Sequence, residues 1–252
     1  MGTRSDAIEH APHFSLIVPA FNEEACLPRL LETVDAARAA YRGGPDAIEV
    51  IVADNGSTDA TAEIARARGC RVVSVAKRVI AAARNGGAAV ARGTLLAFTD
   101  ADMRIHPETF NAIDEAMSEG RAVAGTTGVI LDRWSLGLAL TYAAFLPIVW
   151  LTRLDTGVVF CRREDFVRVD GYNEVRRYAE DVQFLWDLRR LGRRRGQHLV
   201  RLRPVKAVAS TRKFDKYGDW HYFTSFPWLL VKMLISPGAT TEFADRYWYR
   251  DR

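Results

Sequence analysis

The chain has 252 residues but only three cysteines, Cys26, Cys70 and Cys161, far apart and with no Cys-x-x-Cys pair. Such a set excludes a disulfide framework and a structural zinc site, and it suits reduced thiols in the cytoplasm. No Gly-x-Gly-x-x-Gly follows the first apolar run, so the dinucleotide fingerprint of hydride-transfer enzymes is missing. Excess charge is also scarce. A net +4 is too weak to argue for nucleic acid, though it suits an anionic ligand or an anionic membrane surface. The opening residues lack the apolar stretch of a secretory signal, and Asp6 stands where a myristoylation signal wants Ser or Thr. Residues 1–12 are expected to form a loose tail. Internal repeats and low-complexity linkers are absent.

What is present is alternation. Phe14–Val18, Glu49–Ala53, Arg71–Val75 and Thr94–Thr99 read as buried strands, with helical patterns between them. That order predicts βαβ units and a parallel sheet. The first strand is expected to break at Pro19. Asn22 is then expected to cap a helix with Glu23 and Glu24 in its first turn and Leu27, Leu30, Leu31 and Val34 on its apolar stripe. Ser57-Thr58-Asp59 should open a second helix, and residues 81–92 a third despite Gly86-Gly87. The second half is less regular. It offers a strand over Asp155–Cys161, a short helix over Arg163–Val169 and an amphipathic helix over Tyr178–Leu191, stopped by Gly192.

The predicted strands run into polar residues at their C-terminal ends, the edge where open parallel sheets bind ligands. Asn22, Glu23, Asp54, Asp59, Asp100 and Asp102 collect there. So many carboxylates would repel a diphosphate unless a cation intervenes. Asp100-Ala101-Asp102, directly after an apolar strand, offers hard oxygen ligands to Mg²⁺ or Mn²⁺. By itself an Asp-x-Asp also fits an ordinary turn.

Context adds to this. VPAFNEE at 18–24, ADNGSTDAT at 53–61, AAARNGGAAVARG at 81–93, LLAFTDADMRIHPE at 95–108 and AEDVQFLWDLRRLG at 179–192 occur in this order. Together they resemble the family 2 glycosyltransferases of GT-A fold over roughly residues 14 to 195. The resemblance implies an α/β, Rossmann-like, mostly parallel sheet flanked by helices. It implies one domain over 13–212, with a nucleotide-binding half to about 105 and an acceptor half beyond, followed by a C-terminal apolar and aromatic helical extension over 213–252. The implied activity is inverting, non-processive, metal-dependent transfer of one sugar (the hexosyltransferase type) from a nucleoside-diphosphate sugar to an acceptor hydroxyl.

Residue by residue, the resemblance implies that Pro19, Ala20, Phe21 and Glu23 line the nucleotide pocket and that Asp54 recognises the base. Arg84 and Ala101 would contact the donor nucleotide, Asp100 the ribose or the ion, and Asp102 the metal bridging the diphosphate. Asp181 of the Glu180-Asp181 pair would be the catalytic base. Independently of the resemblance, an attacking hydroxyl needs a carboxylate within hydrogen-bond reach, and a helix start favours its ionised form. Arg212 or Lys213 would meet the diphosphate if the chain folds back, although solvated surface charge explains them as well. His198 and His221 are candidate metal helpers or simply structural.

Departures from the family pattern count too. Met103 stands where many relatives carry a third acidic residue, and no Gln-x-x-Arg-Trp follows Glu180-Asp181, which speaks against a processive synthase. A sugar-phosphate nucleotidyltransferase remains an alternative, as does a catalytically silent nucleotide-sugar binder or membrane scaffold. The uncharged segment 134–152 is long enough to span a bilayer. A single crossing would separate Asp102 from Asp181, so core packing, a homodimer contact or an interfacial helix are the open readings. With the aromatic-flanked stretch 226–235, it raises peripheral contact with the inner face of the membrane and a lipid-linked or membrane-proximal acceptor.

Overall fold

A computed structural model describes residues 11–141, 143, 157–176 and 180–220. The strands are β1 (Phe14–Ala20), β2 (Ile48–Asp54), β3 (Arg71–Ser74), β4 (Leu95–Phe98), β5 (Met103–Arg104), β6 (Ala122–Leu131), β7 (Val159–Arg162) and β8 (His198–Ala209). The helices used below are α1 (Leu27–Ala40), α2 (Thr61–Ala67), α3 (Ile80–Ala89), α4 (Thr109–Ser118), α5 (Arg163–Arg168), α6 (Glu180–Arg193) and α7 (Arg212–Tyr217). One sheet runs β3-β2-β1-β4-β7-β6-β8-β5. Its first four strands are parallel, β7 is antiparallel to both neighbours, and β6 and β8 are parallel again.

Period-2 alternation explains why the first strands are apolar throughout. Phe14, Leu16 and Val18 pack on one face of the sheet with Leu27, Leu30, Leu31 and Val34 of α1. Ile17, Ile51, Leu96 and Phe98 pack on the other with residues of α3, α5 and α6. A sheet covered on both faces needs apolar residues at odd and even positions alike. Gly87 lets α3 close on β1, since a Cβ there would lie 2.5 Å from Ile17 Cγ2.

Several expectations are corrected. Pro19 does not end β1, which continues to Ala20. Pairing with β4 stops at Ile17, so the missing Pro19 N–H falls on the side where the ladder has already ended. Asn22 caps no helix: it sits at φ 51° and its Oδ1 accepts the Thr58 N–H at 2.9 Å, tying two loops together. α1 opens instead at Leu27, where Pro28 suits a first turn, and its first turn holds no acidic residue. α2 starts at Thr61, after the Asp59 carboxylate has accepted the Thr61 N–H at 3.0 Å. Gly192 lies within α6 and does not stop it; it serves close packing instead, since a Cβ there would press on Val123 Cγ1 at 2.6 Å. The edge strand β5 and the long strands β6 and β8 were not foreseen.

Most of segment 134–152, all of 226–235, and His221 lie outside the described residues. Of the part that is described, Trp134, Leu136 and Leu140 are exposed. Among the described residues no helix is long and apolar enough to cross a membrane.

Candidate active site

The candidate residues gather at the C-terminal ends of β1, β2 and β4, and they form two arginine-centred clusters. The first surrounds Arg84, which α3 holds in the core with 5% of its side chain exposed. One terminal nitrogen, Nη2, donates to Asp100 Oδ1 at 2.9 Å. The other, Nη1, donates to Glu180 Oε1 at 2.9 Å and lies 2.8 Å from Asp181 Oδ1. The guanidinium carbon sits 5.1 Å from the centre of the Tyr172 ring, which stacks on Phe184 at 4.2 Å. Burial opposes the charge on Arg84, but Asp181, Asp100, Tyr172 and Glu180 outweigh it and hold the guanidinium protonated.

Three carboxylates around one cation leave an excess of negative charge. Asp181 carries the result. Burial is the largest influence and, with repulsion from Glu180 and Asp100, it overcomes the pull of Arg84 and raises the carboxyl from 3.8 to about 7. Its side chain keeps 19% exposure, so the group can still meet a ligand. Tyr172 is pushed well up by its burial and by the Asp181 charge, and so stays neutral.

The second cluster surrounds Arg212, at the start of α7. Its guanidinium grips the buried Glu23 through two bonds of 2.7 and 2.6 Å, and Nη2 also reaches Asp102 Oδ2 at 3.1 Å. Nη1 lies 3.3 Å from Cys26 Sγ. Thus the chain does fold back: Arg212 reaches Glu23 from 189 residues away. The side chain of Lys213 lies outside the described residues. Two neighbours on the far side of β6 hold α7 in place. Asp132 accepts the Thr211 N–H and hydroxyl at 3.1 and 2.7 Å, while Arg133 pairs with Asp215 and Asp219 at 2.6 Å each.

The Asp100-Ala101-Asp102 turn joins the clusters, closed by the Met103 N–H donating to the Asp100 carbonyl at 3.1 Å. Each aspartate faces a different arginine, and Ala101 between them is buried. Asp181 is therefore connected to Asp102 through Arg84, Asp100 and one intervening residue.

The remaining candidates border this turn. Pro19 and Ala20 are buried at the end of β1, with Ala20 in register with Asp54. Asp54 Oδ1 accepts the Ser57 N–H at 3.0 Å and so shapes the turn through Gly56, whose φ of 83° suits glycine. Phe21 lies under the Arg78 guanidinium at 4.9 Å. Arg78, which also reaches the Gly56 carbonyl at 3.5 Å, went unnoticed in the sequence, although its place just past β3 follows the same polar-end rule. His198 is excluded from the site, because the register Leu95–Arg162, Cys161–Ala124, Ala124–Leu199 places it at the opposite edge of the sheet.

Among the described residues no three His, Cys, Asp or Glu side chains are arranged to hold a metal by themselves. Asp100 and Asp102 nonetheless suit an ion that arrives with its substrate, since Mg²⁺-type sites use one or two carboxylates plus phosphate oxygens.

Residues 15–195 match the model of glycosyl transferase family 2. Over 124 residues the chain is 36% identical to an undecaprenyl-phosphate 4-deoxy-4-formamido-L-arabinose transferase of Pseudomonas paraeruginosa, covering 44% of this chain and 34% of that protein. Residues 1–349 of S. aureus TarS superpose with a TM-score of 0.60 at 20% identity, covering 82% of this chain and 62% of that one. Glucosyl-3-phosphoglycerate synthase from Mycobacterium tuberculosis, solved with Mn²⁺, UDP and glucosyl-3-phosphoglycerate, gives a TM-score of 0.58 at 22% identity, covering 82% and 75%. These likenesses establish the GT-A fold. The chain's match spans about a quarter to a third of the length of the curated relatives.

Proposed function

The chain belongs to glycosyl transferase family 2, and from that premise we propose that it moves one sugar from a nucleoside-diphosphate donor to an acceptor hydroxyl with inversion. The observation that carries this reading is the Asp-Ala-Asp turn, which puts the Asp181 cluster and the Asp102 cluster on either side of one buried alanine.

In this reading Asp54, Phe21 and the end of β1 receive the nucleoside, and Asp102 with Asp100 holds a divalent ion on the diphosphate. The ion, Mn²⁺ or Mg²⁺, supplies positive charge against the leaving diphosphate. Arg212, with 32% of its side chain exposed, can turn from Glu23 and Asp102 to the same phosphates. Asp181 accepts the proton of the attacking hydroxyl. Arg84 keeps Asp181 and Asp100 in place and limits the charge that faces the acceptor. A carboxyl lifted to about 7 is a strong enough base to take that proton near neutral pH yet still ionises there. A single base attacking in line gives inversion at the sugar carbon.

The acceptor class favoured here is lipid-linked or phosphorylated. Support comes from the acceptor in the name of the Pseudomonas relative and from the exposed Trp134, Leu136 and Leu140. The test is a thermal-shift panel of nucleoside diphosphates with and without Mn²⁺. One diphosphate should stabilise the protein only with metal, and Asp102→Ala should abolish the shift. Equal shifts without metal would remove the ion from this proposal.

A further inference from the structure

A second charged site lies outside the cluster of catalytic candidates. Between Leu202 and Ala207, strand β8 carries four residues opposite a single residue of β6. This bulge turns Arg203, Pro204 and Lys206 towards the edge strand β5. There they join Arg104 and His106 around a cavity of about 470 Å³ floored by Ile105, Ile130 and Val208. The lining contains three cationic side chains and a histidine but no Asp or Glu.

Several arginines elsewhere are matched with carboxylates in ion pairs, among them Arg84, Arg92, Arg133, Arg195 and Arg212. Among the described residues Arg104, Arg203 and Lys206 form none. His106 adds a donor of fixed position. Its Nδ1 accepts the Glu108 N–H at 3.1 Å, which leaves the ring proton on Nε2. Donors of this number around an acid-free cavity match the several oxygens of a phosphate.

We propose that this cavity is a second anion site, which binds a phosphate group separately from the donor diphosphate. Arg104 is two residues beyond Asp102, so its backbone lies within about 7 Å of the metal-binding candidate. A phosphorylated ligand held there is thereby anchored beside the transfer site. The phosphate belongs either to a lipid headgroup or to a soluble phosphorylated compound. The proposal needs no sugar transfer, and the site should persist in Asp102→Ala.

The test uses the full chain without nucleotide or metal. Inorganic phosphate is titrated at constant ionic strength while the His106 ring resonances are followed by NMR, and flotation is measured with phosphatidylglycerol and phosphatidylcholine vesicles. Losing two charge-assisted contacts in Arg203→Gln/Lys206→Gln should weaken binding about tenfold or more, with Arg190→Gln on α6 unaffected. Arg104→Gln provides the same test if the double variant misfolds. Loss of flotation on phosphatidylglycerol alone identifies a lipid source. Loss of the phosphate response alone identifies a soluble one. If neither probe separates these variants from Arg190→Gln, the site does not exist.

Discussion

The Arg84 and Arg212 clusters have the same chemistry, one guanidinium among carboxylates, yet differ in what surrounds them. Arg84 sits in the core on a ten-residue helix, above an aromatic floor, with 5% of its side chain exposed. Arg212 stands at the start of a six-residue helix with 32% exposed. Water can re-solvate the guanidinium of Arg212 when a partner leaves, but not that of Arg84. A buried guanidinium is fixed by the penalty of breaking its pairs, whereas a partly exposed one is open to exchange with an incoming anion. In the proposed reading, the site pairs an immobile half, which tunes a base, with an exchangeable half, which receives a charged substrate.

The sharpest attack on this contrast is Asp181→Asn. Transfer should fall by roughly 10² to 10⁴-fold, the usual contribution of a general base, while donor affinity and thermal stability are retained. Unchanged turnover would make the sealed cluster a purely structural one. Arg84→Met comes next. It leaves the largely buried Glu180 and Asp181 without their cation, so unfolding by urea should show a loss of about 3 to 5 kcal/mol. A loss below one kcal/mol would mean the cluster is not sealed.

Acidity separates the two roles of Asp181. With its carboxyl raised from 3.8 to about 7, transfer should fall about tenfold per unit as pH drops below 7, through loss of the ionised base. The group's effect on stability runs the other way. The folded state holds the proton more tightly than the unfolded chain, so this contribution is complete below about 3.8 and is lost as pH rises through 7. A pH–rate profile flat from 5 to 8 would remove Asp181 as the base. The smallest effect belongs to Arg212→Gln. Diphosphate binding with metal should weaken about tenfold, as for one charge-assisted hydrogen bond, with a smaller fall in melting temperature than Arg84→Met, because the glutamine keeps a donor for the buried Glu23. A melting-temperature loss as large as that of Arg84→Met would erase the distinction between the halves.

Much of this architecture was readable from the chain. The apolar runs of β1, β2 and β4, the Leu27–Val34 stripe and the acidic residues just past the strand ends follow from periodicity and burial, and they located Asp54, Asp100 and Asp102. The motif order added Arg84 and Asp181. What escaped detection depends on partners remote in sequence. β6 and β8 pair with each other across some seventy residues, and β8 carries exposed charges over its bulge, which blurs its alternation. Pro19 looked like a stop because the side of β1 on which its missing N–H would fall cannot be seen in one dimension. The ion pair of Arg212 with Glu23 is invisible for the same reason, and a positive charge after a strand looks like solvated surface until the fold supplies its acid.

The Asp132–Arg133 clasp has a consequence for chain length. Thr211 and Asp219 both fasten to these adjacent residues, so the segment between them is measured against a fixed ruler at the end of β6. Surface connections ordinarily absorb insertions. Here one added residue between Thr211 and Asp219 could keep both fastenings only by distorting α7, which carries Arg212, so the segment behaves as a gauge that tolerates changes of side chain and not of length.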